Sequence, residues 1–382
     1  MESKLKSNKF ARNTLILTVI ALVLLIVPTL LIDLPVGYPI INAYTAQILT
    51  LGAINAIMAI SVNMVCGITG QLSLGQAGFQ AIGAYAVILL TSNVGIPLPI
   101  SIILAGIIAA IFGFLIGFPT LKLEGDYLAI VTLAFGEIIR ICLVNLKNIT
   151  GGPNGIQFST IFTTSLDHWP AIAYLTIAGS LILVFVFLQN FLRSTYGRSI
   201  LAVREDEIAA NSNGISVFKY KMTGFVIAAF IGGIGGALYA PFIGFVKPDL
   251  GSFNNSINHL IYVVLGGMGS ITGGIVAAFG LTILQEMLRF LRDYRLLIYP
   301  VILIFVMLYR PQGLLGTKEL SFIKVFDSLP SFWAKITGKN KQNEVQKWAN
   351  YFYEQKILVL FLVVYVLLAT LTLNFLKANL LV

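Results

Sequence analysis

"GRSILAVREDEIAANSNGISVFKYK", residues 197–221, is the stretch on which the fold reading turns. It carries Arg198, Arg204, Glu205, Asp206, Glu207, Lys219 and Lys221, and long apolar sequence flanks it on both sides. Ser194, Thr195 or Ser199 suits a helix start, residues 200–212 are good helix formers, and Asn213-Gly214 is a left-handed stop. Ile200, Leu201 and Ile208 give this helix a modest apolar side. Two readings stand open from these residues: a short helix built to lie against something, or a solvated loop.

The surrounding composition sets the solvent. Of 382 residues, 57% are hydrophobic and 11% are charged, against about 25% charged in soluble domains. A larger core does not explain this, because soluble cores stop growing at about 250–300 residues. Lipid is therefore the expected surroundings. The net charge of +9 sits in short stretches between apolar runs, a pattern that orients spans in a membrane and not one that binds nucleic acid. Cys66 and Cys142 lie inside apolar runs, and His168 and His259 stand apart, so neither a disulfide framework nor a metal site is expected.

Spanning helices need about 20 mostly apolar residues. The expected spans are 14–32, 44–66, 79–92, 99–117, 127–145, 171–190, 223–245, 256–267, 271–288, 297–309 and 357–376. This predicts an all-α integral membrane bundle of about 10 spans plus one extra C-terminal span. The runs 79–92, 256–267 and 297–309 are short and fit half-helices or re-entrant pieces. The apolar run 14–32 is longer than a typical signal-peptide core of about 7–15 residues and lacks a small-residue cleavage site, so a retained first helix is expected. With the N-terminus inside, Lys147, Lys247, Arg289, Arg292, Arg295 and Lys377 fall outside and Arg140 within a span. Every other lysine and arginine of the 25 falls inside, as the positive-inside rule requires. The opening stretch is then cytoplasmic. Three regions follow: a helical membrane core over 1–316, a basic segment 317–356 whose Val345, Trp348, Ala349 and Phe352 share one helical face, and the last span within 357–382.

Gly-rich kinks occur at "CGITGQLSLGQAGF", 66–79, and "LGGMGSITGG", 265–274. Either a duplicated half with broken helices or close helix packing by small residues accounts for them. Gly75, Phe79, Gly266, Gly267 and Gly269 are candidate pathway residues on this basis. Glu137 and Arg140, three apart within an apolar run, can pair on one helical face. Intramembrane charges are costly, so they pair or face a cavity, and the two are read either as a polar element of a pathway or as a structural pair. Thr150, Gly151, Gly152 and Asn154 of "TGGPNGI" form a turn-rich loop. No enzyme motif is present: the only Gly-Lys, Gly338-Lys339, precedes Asn340, so the phosphate-binding G-x-x-x-x-G-K-[ST] is missing.

The segments "GQLSLGQAGFQAIGAYAVILL", "GDYLAIVTLAFGEIIRICLVNLKNITGGPNGI", "STYGRSILAVREDEIAANSNGISVFKYKMTGFVIAAFIGGIGGALYA" and "VVLGGMGSITGGIVAAFGL" resemble the permeases of ABC importers for branched-chain amino acids, in particular the second of the two permease types that pair in such systems. The resemblance runs over about residues 38–316; the 317–382 tail departs from it. It implies a heterodimer with a second homologous permease in a bacterial cell membrane, two cytoplasmic ATPase subunits that use ATP and Mg, and an extracytoplasmic substrate-binding protein. No cofactor bound by this chain is expected. The resemblance places Arg198, Ile200, Leu201, Arg204, Glu205, Asp206, Glu207, Ile208 and Gly214 in the loop helix that docks on an ATPase. Import of urea or short amides by the same architecture, and an ion-coupled secondary transporter, are the rival expectations.

Overall fold

The structure is a computed structural model that describes residues 43–316 apart from 124, 159–168, 290–293 and 311. All of these lie in one compact unit, Ile20–Glu319. The expected spans 14–32 and 357–376 and the basic segment 317–356 lie outside the described residues.

The described chain is almost entirely helical. Helix α1 (Ala43–Asn63) runs into one π turn, Met64–Ile68, and a break over 69–75 separates it from α2 (Gln76–Ser92). Then come α3 (Leu98–Thr120), α4 (Asp126–Asn145) and α5 (Trp169–Arg193). Two short helices, α6 (Thr195–Glu205) and α7 (Glu207–Ser212), lead into α8 (Val217–Ile243). Helices α9 (Phe253–Gly266) and α10 (Ile271–Met287) form a hairpin, and α11 (Arg295–Tyr309) follows. Pro97 and Pro99 open α3, where a missing N–H costs nothing. Gly244, at φ +73, closes α8 in the left-handed conformation. A two-residue antiparallel ladder, β1 (Ile156–Gln157) with β2 (Phe245–Val246), pairs Ile156 with Val246.

Five described helices are long and apolar enough to cross a membrane: Tyr44–Ile68, Leu98–Thr120, Asp126–Asn145, Ala173–Arg193 and Val217–Ile243. The α9–α10 pair, bent by 119° at its break, makes up to six. The expected total of about ten therefore also counts α2, α11 and the two arms of α9–α10, which are short at 17, 15, 14 and 17 residues, and the run 14–32 outside the described residues. The short runs each form a helix, α2, α9 and α11.

Helix α8 is the packing centre, against α3 on one side and α2 on the other, while α1 packs on α10 and α5. In lipid no hydrophobic effect drives helices together, so close van der Waals fit has to do it. Its "GGIGG" run, Gly232 to Gly236, supplies the fit: Gly233 lies against Gly83 and Gly106, and Gly236 against the Gln80 carbonyl. Side chains at Gly83 or Gly236 would overlap backbone. Helices α3 and α4, by contrast, present large exposed residues on one side, among them Ile103, Ile111, Leu115 and Ile130, the surface expected of spans that face lipid or another chain.

Replacing Gly83 by Leu is expected to destabilise the purified protein by about 3 kcal/mol through overpacking against α8. Gly274→Ala, whose new methyl would meet Ala59 at an ordinary 3.8 Å, is expected to be nearly neutral. Thermal unfolding in detergent, followed by loss of the monodisperse species, separates the two.

Candidate functional site

The charged stretch folds as two helices where the sequence suggested one. Ser194 Oγ accepts from Gly197 N at 3.3 Å and starts α6. Asp206, extended at φ −158 and ψ 112, breaks the run. Its Oδ1 accepts from Ile208 N at 2.8 Å and Ala209 N at 2.9 Å, so the short carboxylate caps a new helix instead of sitting inside an old one. Gly214, at φ +79, ends the segment as expected. Lys221 Nζ meets Glu207 Oε1 at 2.5 Å and ties α7 to the first turns of α8.

The apolar residues of this segment divide between two surfaces. Ile200 is 1% exposed and Val203 2%, so they fix α6 to the bundle, and Leu201 packs partly against the same core. Ile200 is thus an inward anchor and not a contact offered outward, a correction to the expected apolar side. Ile208 is 81% exposed and stands with exposed Arg198, Glu205, Asp206 and Glu207. The outward face is charged, with one apolar residue among the charges.

Arg204 connects this segment to both Gly-rich breaks. Its Nη1 donates to the Gly67 carbonyl at 2.8 Å, while Nη2 and Nε reach Glu205 Oε1 at 2.5 and 3.2 Å. Gly67 lies in the π turn that ends α1. The α9–α10 elbow meets it there: Gly269 N donates to Asn63 Oδ1 at 2.8 Å, and a side chain at Gly67 would strike the Gly269 backbone. Gly267 and Gly269, at φ +110 and +93, turn the chain at this elbow, which glycine alone does without strain. Gly266 packs on Gly273, and Gly267 on Gly313 and Gly316. Leu314 N and Leu315 N donate to the Leu265 and Gly266 carbonyls at 2.8 and 3.2 Å. Gly75 abuts the Thr132 carbonyl. Phe79 is fully buried, its ring 5.3 Å from Phe135 and edge-on to Phe225 at 5.8 Å. These candidate pathway residues are accordingly elbow and core contacts in this conformation.

At the opposite end of the bundle Glu137 and Arg140 do pair, at 2.6 Å. The pair also joins elements: Glu137 Oε1 accepts from Phe253 N at 3.0 Å, a carboxylate at the start of α9 where the helix dipole favours it. Arg140 Nη1 lies 3.7 Å from Asp249 Oδ1. Glu286 takes hydrogen bonds from Tyr44 Oη and, at 2.8 Å, from Arg289 Nη1. Each outer end of the α9–α10 hairpin is thereby clamped to a neighbour. In the "TGGPNGI" loop Thr150 is buried, and its hydroxyl, with one proton to donate, lies 2.5 and 2.8 Å from the Leu143 and Leu146 carbonyls. Gly151 and Gly152 turn at φ +69 and +63, and Asn154 is exposed. The loop closes on its own chain through the β1–β2 ladder.

A buried polar seam was not singled out from sequence. Ser61 Oγ lies 3.0 Å from Gln76 Oε1 and 2.7 Å from the Ala228 carbonyl, to which it can donate. Ser256 Oγ accepts from Ala77 N at 3.3 Å. His259 Nε2 lies 2.8 Å from Gln80 Oε1, which only accepts, so Nε2 carries the proton. Gln76 Nε2 and His259 Nδ1 have no partner among the described residues. The usable signal was Gln76 and Gln80 at i and i+4, one polar face in an apolar helix. Among the described residues no cluster of His, Cys, Asp and Glu could hold a metal.

Glu137→Ala is expected to lower stability by about 1–2 kcal/mol, as loss of a helix cap does. Glu137→Gln, which can still accept from Phe253 N, is expected to lose less. Thermal melts of the two variants read the difference.

The sequence profile of the family described as "Branched-chain amino acid transport system / permease component" matches residues 44–307. The high-affinity branched-chain amino acid transport system permease protein LivM of Escherichia coli (strain K12) is 40% identical over 311 residues, 75% of this chain and 73% of the relative. LivH of Salmonella typhimurium is 25% identical over 293 residues, 71% of this chain and 94% of the relative. BraD of Pseudomonas aeruginosa is 29% identical over 314 residues, 74% and 99%. No solved structure matches. Several spanning helices and a family of transport permeases, none of these relatives named as an enzyme, agree on a multi-pass membrane protein. The chain belongs to the family of permease components of branched-chain amino acid transport systems.

Proposed function

We propose that this chain is one of two permease subunits of an ATP-driven importer of branched-chain or related hydrophobic amino acids. It sits in a bacterial cytoplasmic membrane with its N-terminus and the α6–α7 segment inside. Its partners are a second permease of the same family, two ATPase subunits that bind and hydrolyse ATP with Mg, and an extracytoplasmic binding protein. Relatives named as permeases of high-affinity branched-chain amino acid systems support the substrate class. The lack of a G-x-x-x-x-G-K-[ST] motif in the sequence supports hydrolysis by the partners.

The observation that carries the coupling role is the Arg204 contact with the Gly67 carbonyl. The α6–α7 face, with Ile208 as its exposed apolar contact and Arg198, Glu205, Asp206 and Glu207 around it, receives the motion of an ATPase. Such a face has the polar rim of a docking surface. Arg204 and the Glu207–Lys221 pair hand that motion to the α1 turn, the α9–α10 elbow and the base of α8. The outer clamps at Glu137 and Glu286 hold the far ends of the hairpin, so an inner displacement tilts it. The polar seam from Ser61 to His259 lies on the surfaces that would slide, and it supplies hydrogen-bonding groups to a polar solute once they part. Buried polar groups in spans mark such pathways.

Arg204→Ala in the reconstituted complex is expected to lower substrate transport by about tenfold or more, since a charged hydrogen bond to a buried carbonyl is worth roughly 1.5–3 kcal/mol, while ATP hydrolysis persists. Ile208→Asp is expected to reduce association with the ATPase subunits. Transport and hydrolysis both unchanged by Arg204→Ala, or the α6–α7 segment labelled by an impermeant reagent from outside intact cells, would overturn the reading.

A further inference from the structure

A cleft of about 480 Å³ opens between α3 and α8 at the α6–α7 end of the bundle. Its walls include Phe114, Phe118, Phe218 and Met222, with Lys219 and Thr223 at the edge. Phe118 and Phe218 meet edge to face at 5.9 Å and stay 52% and 39% exposed. Lys122 Nζ lies 5.3 Å from the centre of the Phe118 ring. Lys122 follows the end of α3 and Lys219 is in the first turn of α8, so two cations stand at the same end of one apolar cleft.

Lys221, two residues on from Lys219, is held by Glu207. Neither Lys122 nor Lys219 has a carboxylate within ion-pair distance among the described residues. A soluble anion would pair with the lysines and leave the aromatic walls unused. A neighbouring apolar helix would fill the walls and leave two cations at its edge without a counter-charge. An amphiphile with an anionic head and a hydrocarbon tail satisfies both parts.

We propose that the cleft binds an anionic phospholipid, its phosphate between Lys122 and Lys219 and one acyl chain along Phe114, Phe118, Phe218 and Met222. The assignment of that lipid to the inner leaflet, which is the anionic one facing a cytoplasm, rests on the orientation in the functional reading above. Bound there, the lipid touches the first turns of α8, next to the Glu207–Lys221 tie, and steadies the helix that receives motion from α7.

The test uses the intact purified complex in phosphatidylcholine bilayers with and without phosphatidylglycerol. Native mass spectrometry counts phosphatidylglycerol retained per complex. Each lysine is worth about fivefold in affinity for an anionic surface, so Lys122→Ala with Lys219→Ala is expected to lower retention by tenfold or more, and Lys→Arg at both positions to preserve it. Thr223→Trp keeps both cations and fills the cleft, and is expected to lower retention as well. Photoreactive benzoylphenylalanine in place of Phe118, with both lysines intact, is expected to form an adduct with phospholipid. Retention unchanged in the double alanine variant, or a Phe118 adduct with the second permease subunit in place of lipid, overturns the proposal. Phosphatidylglycerol is present in both leaflets of these bilayers, so the result is independent of which face is cytoplasmic, and failure here is distinct from failure of the coupling role.

Discussion

Broken helices in lipid have to find partners for the backbone groups that a continuous helix would have satisfied, and the protein itself must supply them. That constraint organises the interior. The π turn at Met64–Ile68 and the elbow at 267–270 lie against each other, joined by Asn63 Oδ1 to Gly269 N and by Arg204 to the Gly67 carbonyl. The chain after α11 adds two further backbone bonds under the same elbow. One side chain from a surface helix therefore takes part in satisfying a break that belongs to the bundle core.

The α9–α10 hairpin is held differently at its two ends. Its outer ends are tied by charged side chains, Glu137 at the start of α9 and Glu286 near the end of α10. Its inner elbow is tied by the Asn63 side chain, by backbone bonds from Leu314 and Leu315, and by close glycine contacts. Along its α9 arm runs the seam of Ser256 and His259, which meets α2 at Ala77 N and Gln80 Oε1. Close glycine packing between α2, α3 and α8 makes the other side of the bundle rigid by comparison. A glycine-packed block and a pinned hairpin meet across this polar seam.

Much of this was legible in residues alone. The apolar excess announced lipid, the charged 197–221 stretch announced a surface segment, and the Gly-rich runs at 66–79 and 265–274 marked both breaks. Glu137 and Arg140 were legible as a pair because three residues on a helix share a face. That Ile200 faces inward while Ile208 faces outward was not legible, because a one-dimensional apolar side does not say which of its residues a neighbour covers. The split at Asp206 was hidden because aspartate is tolerated in helices and its capping role shows only when its own backbone is extended.

The amino-acid sequence by itself determined the apolar surroundings, the helical class and the family, since each follows from composition, spacing or local motif. Only the tertiary structure decided that the two glycine breaks, some 200 residues apart, share one junction and that Arg204 closes it. It also decided that Gln80 meets His259 and that Lys122 and Lys219 edge one cleft. The reason is that such contacts are set by how α1, α2, α8 and the α9–α10 hairpin pack. That packing is fixed by glycine-to-backbone fit at particular positions, and no period or motif along the chain encodes which glycine meets which.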